Sequence, residues 1–159
     1  LVVIFMYILI RFRKMSYSIG AVAAVFHDVL IVLALFSILY GRLPFSLEID
    51  QAFIAAILTV IGYSLNDTVV VFDRVREYFG TKSGSREKIV NAALNSTLSR
   101  TINTSLTTFF VLLIIFLFGG EVIRGFMFAL MIGVVVGTYS SLFIATPIMV
   151  DTLKKENDK

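Results

Sequence analysis

The chain has 159 residues, is 58% hydrophobic and 16% charged, and carries a net charge of only +3. A soluble domain of this length has no interior large enough to hide that much apolar surface, so the class is an integral membrane protein. Cysteine and tryptophan are absent and there is one histidine, which excludes disulfides, thiolate chemistry and metal sites rich in Cys or His, and nothing in the chain calls for a cofactor. The basic residues are scattered between apolar runs, so the partner they imply is the lipid bilayer and not a nucleic acid.

Residues 1–10 are apolar but cover only half of the ~20 residues a spanning helix needs. No basic segment precedes them and no small-residue cleavage site follows, so they read as the end of a truncated transmembrane helix, with more sequence expected upstream. Four full spans follow at 19–40, 52–72, 102–118 and 122–149. Each is an apolar run too long for a strand and free of internal proline, except Pro147 near the end of the last. Residues 73–101 are expected to form a loop. Within it, Gly80–Ser85 is flexible by composition, and Ser85-Arg86-Glu87-Lys88 opens a short amphipathic helix with Ile89, Ala92, Ala93 and Leu94 on its apolar stripe. Residues 150–159 form a tail. The expected fold is an all-α integral membrane bundle of four full transmembrane helices plus the end of one more.

Orientation follows from Lys and Arg in the connections. Twelve of the fourteen lie in Arg11–Ser18, in 73–101 and in the tail. Only Arg42 and Arg124 lie in the other two connections. This places the loop 73–101 and the C-terminus in the cytoplasm.

The second full span carries Asn66-Asp67 in an otherwise apolar run. A carboxylate in hydrocarbon costs ~2.5–3.5 kcal/mol on insertion scales, and such residues mark ion paths, proton relays or buried pairs. At ~1.5 Å of rise per residue, Asp67 lies roughly 9 Å from the boundary at Asp73, and Asp28 roughly 13 Å from Ile19. Both therefore sit in the cytoplasmic half. On the third span Arg100, Thr104 and Thr107 share a face, and Thr97, Thr101, Thr104 and Thr108 form an adjoining stripe. Arg100 is the natural cationic partner of Asp67. It is always charged, so the carboxylate must be the group that carries a proton. Asn66 is placed to orient that pair, and Thr104 and Asp28 to support it. His27 reads as a hydrogen-bonded packing group beside Asp28. Two readings of the pair stand side by side: a transport-coupling site, with a proton as the default ion and sodium as the alternative, and a static buried ion pair that holds helices together.

Small residues mark the packing faces. Gly125, Ala129, Gly133, Gly137, Ser141 and Ala145 recur at every fourth position, which suits close approach of a neighbouring helix within the chain better than a homodimer seam. Gly20, Ala24 and Asp28 share a face in the same way and turn Asp28 toward other helices.

Phe26-His27-Asp28, the run from Gly62 to Glu77 (GYSLNDTVVVFDRVRE) and the run from Thr97 to Ser105 (TLSRTINTS) together resemble the SecF family, or the SecF half of fused SecDF proteins. The resemblance covers essentially the whole chain. It implies membership of the RND superfamily and a bacterial plasma-membrane accessory of the Sec translocon that uses the proton-motive force in protein export. It also implies SecD (separate or fused), the SecYEG translocon and exported preproteins as partners. Each half of such a protein contributes six helices around a pseudo-two-fold axis, with a periplasmic domain after its first helix. This chain then carries the end of the second SecF helix and helices three to six. The family's coupling aspartate falls on Asp67 and its arginine on Arg100. With the first helix and the periplasmic domain missing, the isolated chain is not expected to transport anything. Another RND exporter and a purely structural subunit are the alternatives. An intramembrane aspartyl protease is disfavoured, because the two aspartates sit in Phe-His-Asp and Leu-Asn-Asp contexts instead of Tyr-Asp and Gly-x-Gly-Asp.

Overall fold

The computed structural model describes residues 1–157, all helices and short connections. Helix α1 (Val2–Phe12) ends where Arg13 takes a left-handed conformation, φ 56°. The chain then turns directly into α2 (Met15–Leu39). Helix α3 (Gln51–Thr81) begins at Asp50, whose carboxylate accepts the backbone N–H of Phe53 at 2.8 Å and so satisfies one of the orphan donors of the first turn. Helix α4 covers Arg86–Phe118, and α5 covers Glu121–Ser140. A π-helical turn, Ser141–Ala145, joins α5 to α6 (Thr146–Asn157). Four helical runs are long and apolar enough to cross a membrane, the last of them running from Glu121 to Glu156.

Two expectations need correction. Residues 73–101 are not a loop with a separate short helix. Helix α3 runs on to Thr81 and α4 starts at Arg86, which leaves only 82–85 as the connection. No Gly or Pro lies between Arg86 and Phe118, so a helix begun at Ser85-Arg86 meets no breaker before Gly119. Of the expected tail at 150–159, residues 150–157 are helix in α6, which buries Met149 and Leu153, and 158–159 lie outside the described residues. Pro147 removes one backbone donor and crowds the carbonyl one turn earlier. The π-turn just before it absorbs that defect, and the Thr146 hydroxyl donates to the Ser141 carbonyl at 2.9 Å across the widened turn.

The interior has two apolar clusters. One gathers Phe12, Tyr17, Ala24, Val71, Phe72, Val75, Ala93, Ala145, Met149 and neighbours. The other gathers Val32, Phe36, Phe53, Ala56, Val60, Ala129 and Leu130. Along α2 the first cluster ends at Ala24 and the second begins at Val32; along α3 the second ends at Val60 and the first begins at Val71. Between them lie the buried polar side chains Asp28 of α2 and Ser64, Asp67 and Thr68 of α3, and Ser140 of α5 is buried and bonded to the same Asp28.

The small-residue stripe of α5 packs inside the chain. A Cβ on Gly133 would overlap the Val60 side chain of α3, and one on Gly137 would lie 3.0 Å from the Ser64 Cβ. Gly20 of α2 meets the Ala145 carbonyl of the π-turn, 2.5 Å from where a Cβ would stand. Helix α4 is embedded least: Ile102, Leu106, Phe110, Val111, Ile114 and Leu117 are all exposed. In a bilayer these are positions for lipid or a neighbouring helix.

Replacing Gly133 with Leu should therefore push α5 off α3 and cost more than ~2 kcal/mol by overpacking. Gly62, with open space around its Cα, should accept Ala with no loss. Thermal unfolding of the two variants in detergent measures the contrast, and equal midpoints would contradict this packing.

Candidate functional site: a buried polar layer

Asp28 is the hub of the layer. It is 1% exposed and belongs to the α2 face that also buries Gly20 and Ala24. Its Oδ2 accepts two hydrogen bonds, from the Ser64 hydroxyl of α3 at 2.5 Å and from the Ser140 hydroxyl of α5 at 2.7 Å. The half-buried imidazole of His27 places Nδ1 3.1 Å from Oδ1. One carboxylate thus ties three helices together at the level where the apolar clusters separate. Hydrogen bonds to a charged acceptor are about twice as strong as neutral ones.

A second chain of hydroxyls crosses α3, α4 and α5. Thr138 gives its proton to the Val134 carbonyl at 2.7 Å, so it accepts from Ser105 at 2.5 Å. Ser105 in turn accepts from the Tyr63 hydroxyl at 3.4 Å. Each hydroxyl has one proton, so the polarity of the chain is fixed from Tyr63 to Val134.

Asp67 is as buried as Asp28, also 1% exposed, but both of its carboxylate oxygens lack a hydrogen-bond partner. The hydroxyls of Thr68, beside it on α3, and of Thr101, on α4, are likewise buried and unpartnered. A buried polar group without a partner costs free energy, and a charged one costs more. Two events relieve such a carboxylate: a proton on it, or the arrival of a cation. The described residues contain no group of three or more His, Cys, Asp or Glu able to hold a metal ion.

The other expected members lie apart from it. Arg100 is exposed and forms no ion pair with Asp67. Asn66 is exposed and does not bond Asp67. The Thr104 hydroxyl donates to the Arg100 backbone carbonyl at 2.9 Å, a bond within its own helix. A closed Asp67–Arg100 contact oriented by Asn66 is thus not the arrangement here. Helix phase explains this: Thr97, Thr101 and Ser105 form the buried face of α4, and Arg100 lies one residue, about 100°, away from Thr101. Sequence reasoning missed Ser64, Ser140, Ser105, Thr138 and Tyr63. The available signal was a hydroxyl on an apolar helix at the depth of Asp28, with Ser64 one turn before Asp67 and Ser140 beside the small-residue stripe.

The chain matches the family described as protein export membrane protein SecD/SecF, C-terminal, over residues 1–155. It is 63% identical over 152 residues to the protein translocase subunit SecF of Rhodothermus marinus, covering 95% of this chain and 49% of that protein. It is 47% identical over 156 residues to the SecF subunit of Petrotoga mobilis, covering 98% and 49%. The chain spans about half the length of the curated relatives it matches. Among solved structures it resembles SecDF in its super-membrane-facing form, with a TM-score of 0.87 and 37% identity over 97% of this chain and 20% of that one. It also resembles SecDF from Thermus, a translocon-associated membrane protein, with a TM-score of 0.81 and 39% identity over 94% and 20%.

The two aspartates should respond in opposite ways to neutralisation. Asp28→Ala leaves the Ser64 hydroxyl without its acceptor and removes charge-assisted bonds between three helices, a loss of about 2–4 kcal/mol. Asp67→Asn replaces a carboxyl group that bonds no other helix and should leave stability unchanged or slightly higher. Unfolding midpoints of purified full-length protein decide this; a large loss on Asp67→Asn would mean that Asp67 holds the bundle together.

Proposed function

The chain belongs to the SecD/SecF family of protein export membrane proteins, and from that premise we propose that it is the proton-coupling membrane part of a protein-export subunit. The site is the pair Asp67 and Arg100. The observation that carries the reading is a fully buried carboxylate with no hydrogen-bond partner, on a helix packed against the helix that bears Arg100, an arginine with no ion pair among the described residues. A static structural pair would be closed, and this one is open.

The chemistry follows from what each group can do. Asp67 takes a proton from one side of the membrane while Arg100 is away. Approach of Arg100 replaces the proton as the compensating positive charge, because a guanidinium favours the ionised carboxylate. The proton leaves, and withdrawal of Arg100 resets the site. Helix α4 carries the motion, since most of its surface is exposed and the α2–α3–α5 unit is tied through Asp28. The unpartnered Thr68 and Thr101 hydroxyls are donors for water or for the carboxylate during that exchange. Asn66 and Thr104, both on the outer flanks of the site, help position Arg100 in the closed state.

In the whole protein this movement would be passed to periplasmic parts that act on preproteins, with SecD and the SecYEG translocon as partners in the bacterial plasma membrane. The charge bias of the connections supports a cytoplasmic C-terminus and a cytoplasmic 82–85 turn. The chain acts as a transport subunit and not as an enzyme.

Asp67→Asn and Arg100→Met, each in the full-length protein, should abolish the gain in secretory-protein export that a proton gradient gives in membrane vesicles. Export without the gradient should be unchanged. Retention of the gain by both variants would refute the coupling role, and a gain that follows a sodium gradient instead would reassign the ion.

A further inference from the structure

At the end of the bundle that carries most of the positive charge, a cavity of about 360 Å³ lies between α1, α2, α3, α4 and α6. Its walls include Lys14, Arg76 and Arg86 together with the aromatic side chains of Phe12, Tyr17 and Phe79. It is lined by three cations and by no acidic side chain. Among the described residues none of the three cations forms an ion pair. Asp73, on the same helix as Arg76, is engaged by Arg11 at 2.7 Å, and Glu77 by Arg74 at 2.9 Å. Lys14 and Arg86 also mark where α2 and α4 begin, and neither helix has a side-chain cap at that end. Two positive helix ends therefore add to the three side-chain charges at one cavity wall.

We propose that this cavity binds the phosphate headgroup of an anionic phospholipid. Convergent unpaired cations beside spanning helices are the chemistry that recognises such a headgroup. The occupant is a lipid, not a free phosphate, because of what leads away from the cavity. Phe12, Tyr17, Phe79 and Leu153 share its walls with the three cations, and the wall elements α2, α3 and α4 continue from it as helices long and apolar enough to cross a membrane. Acyl chains attached to a bound headgroup therefore have apolar surface to follow. The aromatic floor, with Phe12 stacked on Tyr17 at 4.9 Å, takes the glycerol-ester region. A bound lipid would bridge the α1–α2 turn and the 82–85 turn, steadying α4 at its N-terminus while the rest of that helix stays loosely held. This role is independent of the Asp67 site.

Native mass spectrometry of the full-length protein, titrated with phosphatidylglycerol or phosphatidylcholine, tests the assignment. The parent should prefer phosphatidylglycerol. Combining Lys14→Gln, Arg76→Gln and Arg86→Gln should weaken phosphatidylglycerol binding by roughly fivefold per cation, on the order of a hundredfold together, and leave phosphatidylcholine binding unchanged. The pair Lys154→Gln and Lys155→Gln, outside the cavity, should cost less than about twofold; an equal loss there would overturn the proposal in favour of general surface charge. Glycerol 3-phosphate should compete only weakly, and competition as strong as that of the whole lipid would assign the cavity to a soluble phosphate instead. If the triple variant fails to fold, Arg76→Gln and Arg86→Gln singly read the same preference, and an undiminished preference in both overturns the proposal.

Discussion

The bundle depends on one buried carboxylate. Asp28 accepts from Ser64 and Ser140 and so joins α2, α3 and α5 at a depth where apolar packing alone would slide. Apolar side chains in a membrane have no strong preference for one another over lipid, so register must come from close backbone approach and interhelical hydrogen bonds. Both occur together here. Gly137 lets α5 reach Ser64, and Ser64 and Ser140 then close on the same oxygen of Asp28. A longer side chain at Gly137 would separate the donors from the acceptor. The small-residue stripe and the polar hub are thus two halves of one constraint.

That constraint divides the molecule into a tied part and a freer part. Helices α2, α3 and α5 share the hub, while α4 meets them through the weaker chain of neutral hydroxyls from Tyr63 to Thr138. Its outer face is apolar and exposed over most of its length. Asp67 sits on the tied side and Arg100 on the freer one. A carboxylate left unsatisfied at such a boundary is costly in a merely structural element, but in a switch it supplies the difference between states. The π-turn before Pro147 belongs to the tied side as well: it presents the Ala145 carbonyl to Gly20 and closes α2 against the end of the last span.

Much of this was legible in the sequence. Span number and type follow from apolar runs, and the burial of Asp28 follows from its face with Gly20 and Ala24. The intramolecular role of the glycine stripe follows from its regular fourfold spacing. Helix ends were less legible. Hydropathy falls at Asp73 and again near Asp151, yet α3 and α6 run on, because charged residues end a membrane span without ending a helix. Pro147 signalled a stop that the π-turn bypasses. The burial of Asp67 was legible, but an Asp67–Arg100 contact is absent from the structure, since facing residues on two helices depend on their relative rotation, which one helix's periodicity does not contain. For the same reason the serine donors to Asp28 were passed over: a lone hydroxyl on an apolar helix has no local pattern to mark its partner.

The central claim is that α4 moves against a fixed α2–α3–α5 unit to bring Arg100 to Asp67. The chain has no native cysteine, so pairs of spin labels can be placed within it without background once any cysteine elsewhere in the full-length protein has been replaced. One pair on the exposed positions Leu58 of α3 and Ile114 of α4 reports the moving boundary; a second on Leu30 of α2 and Val135 of α5 reports the tied one. Distances measured by pulsed electron resonance in liposomes, at pH values on either side of the Asp67 titration, should shift for the first pair and stay constant for the second. A constant first distance, or an equal shift in both, would contradict the account.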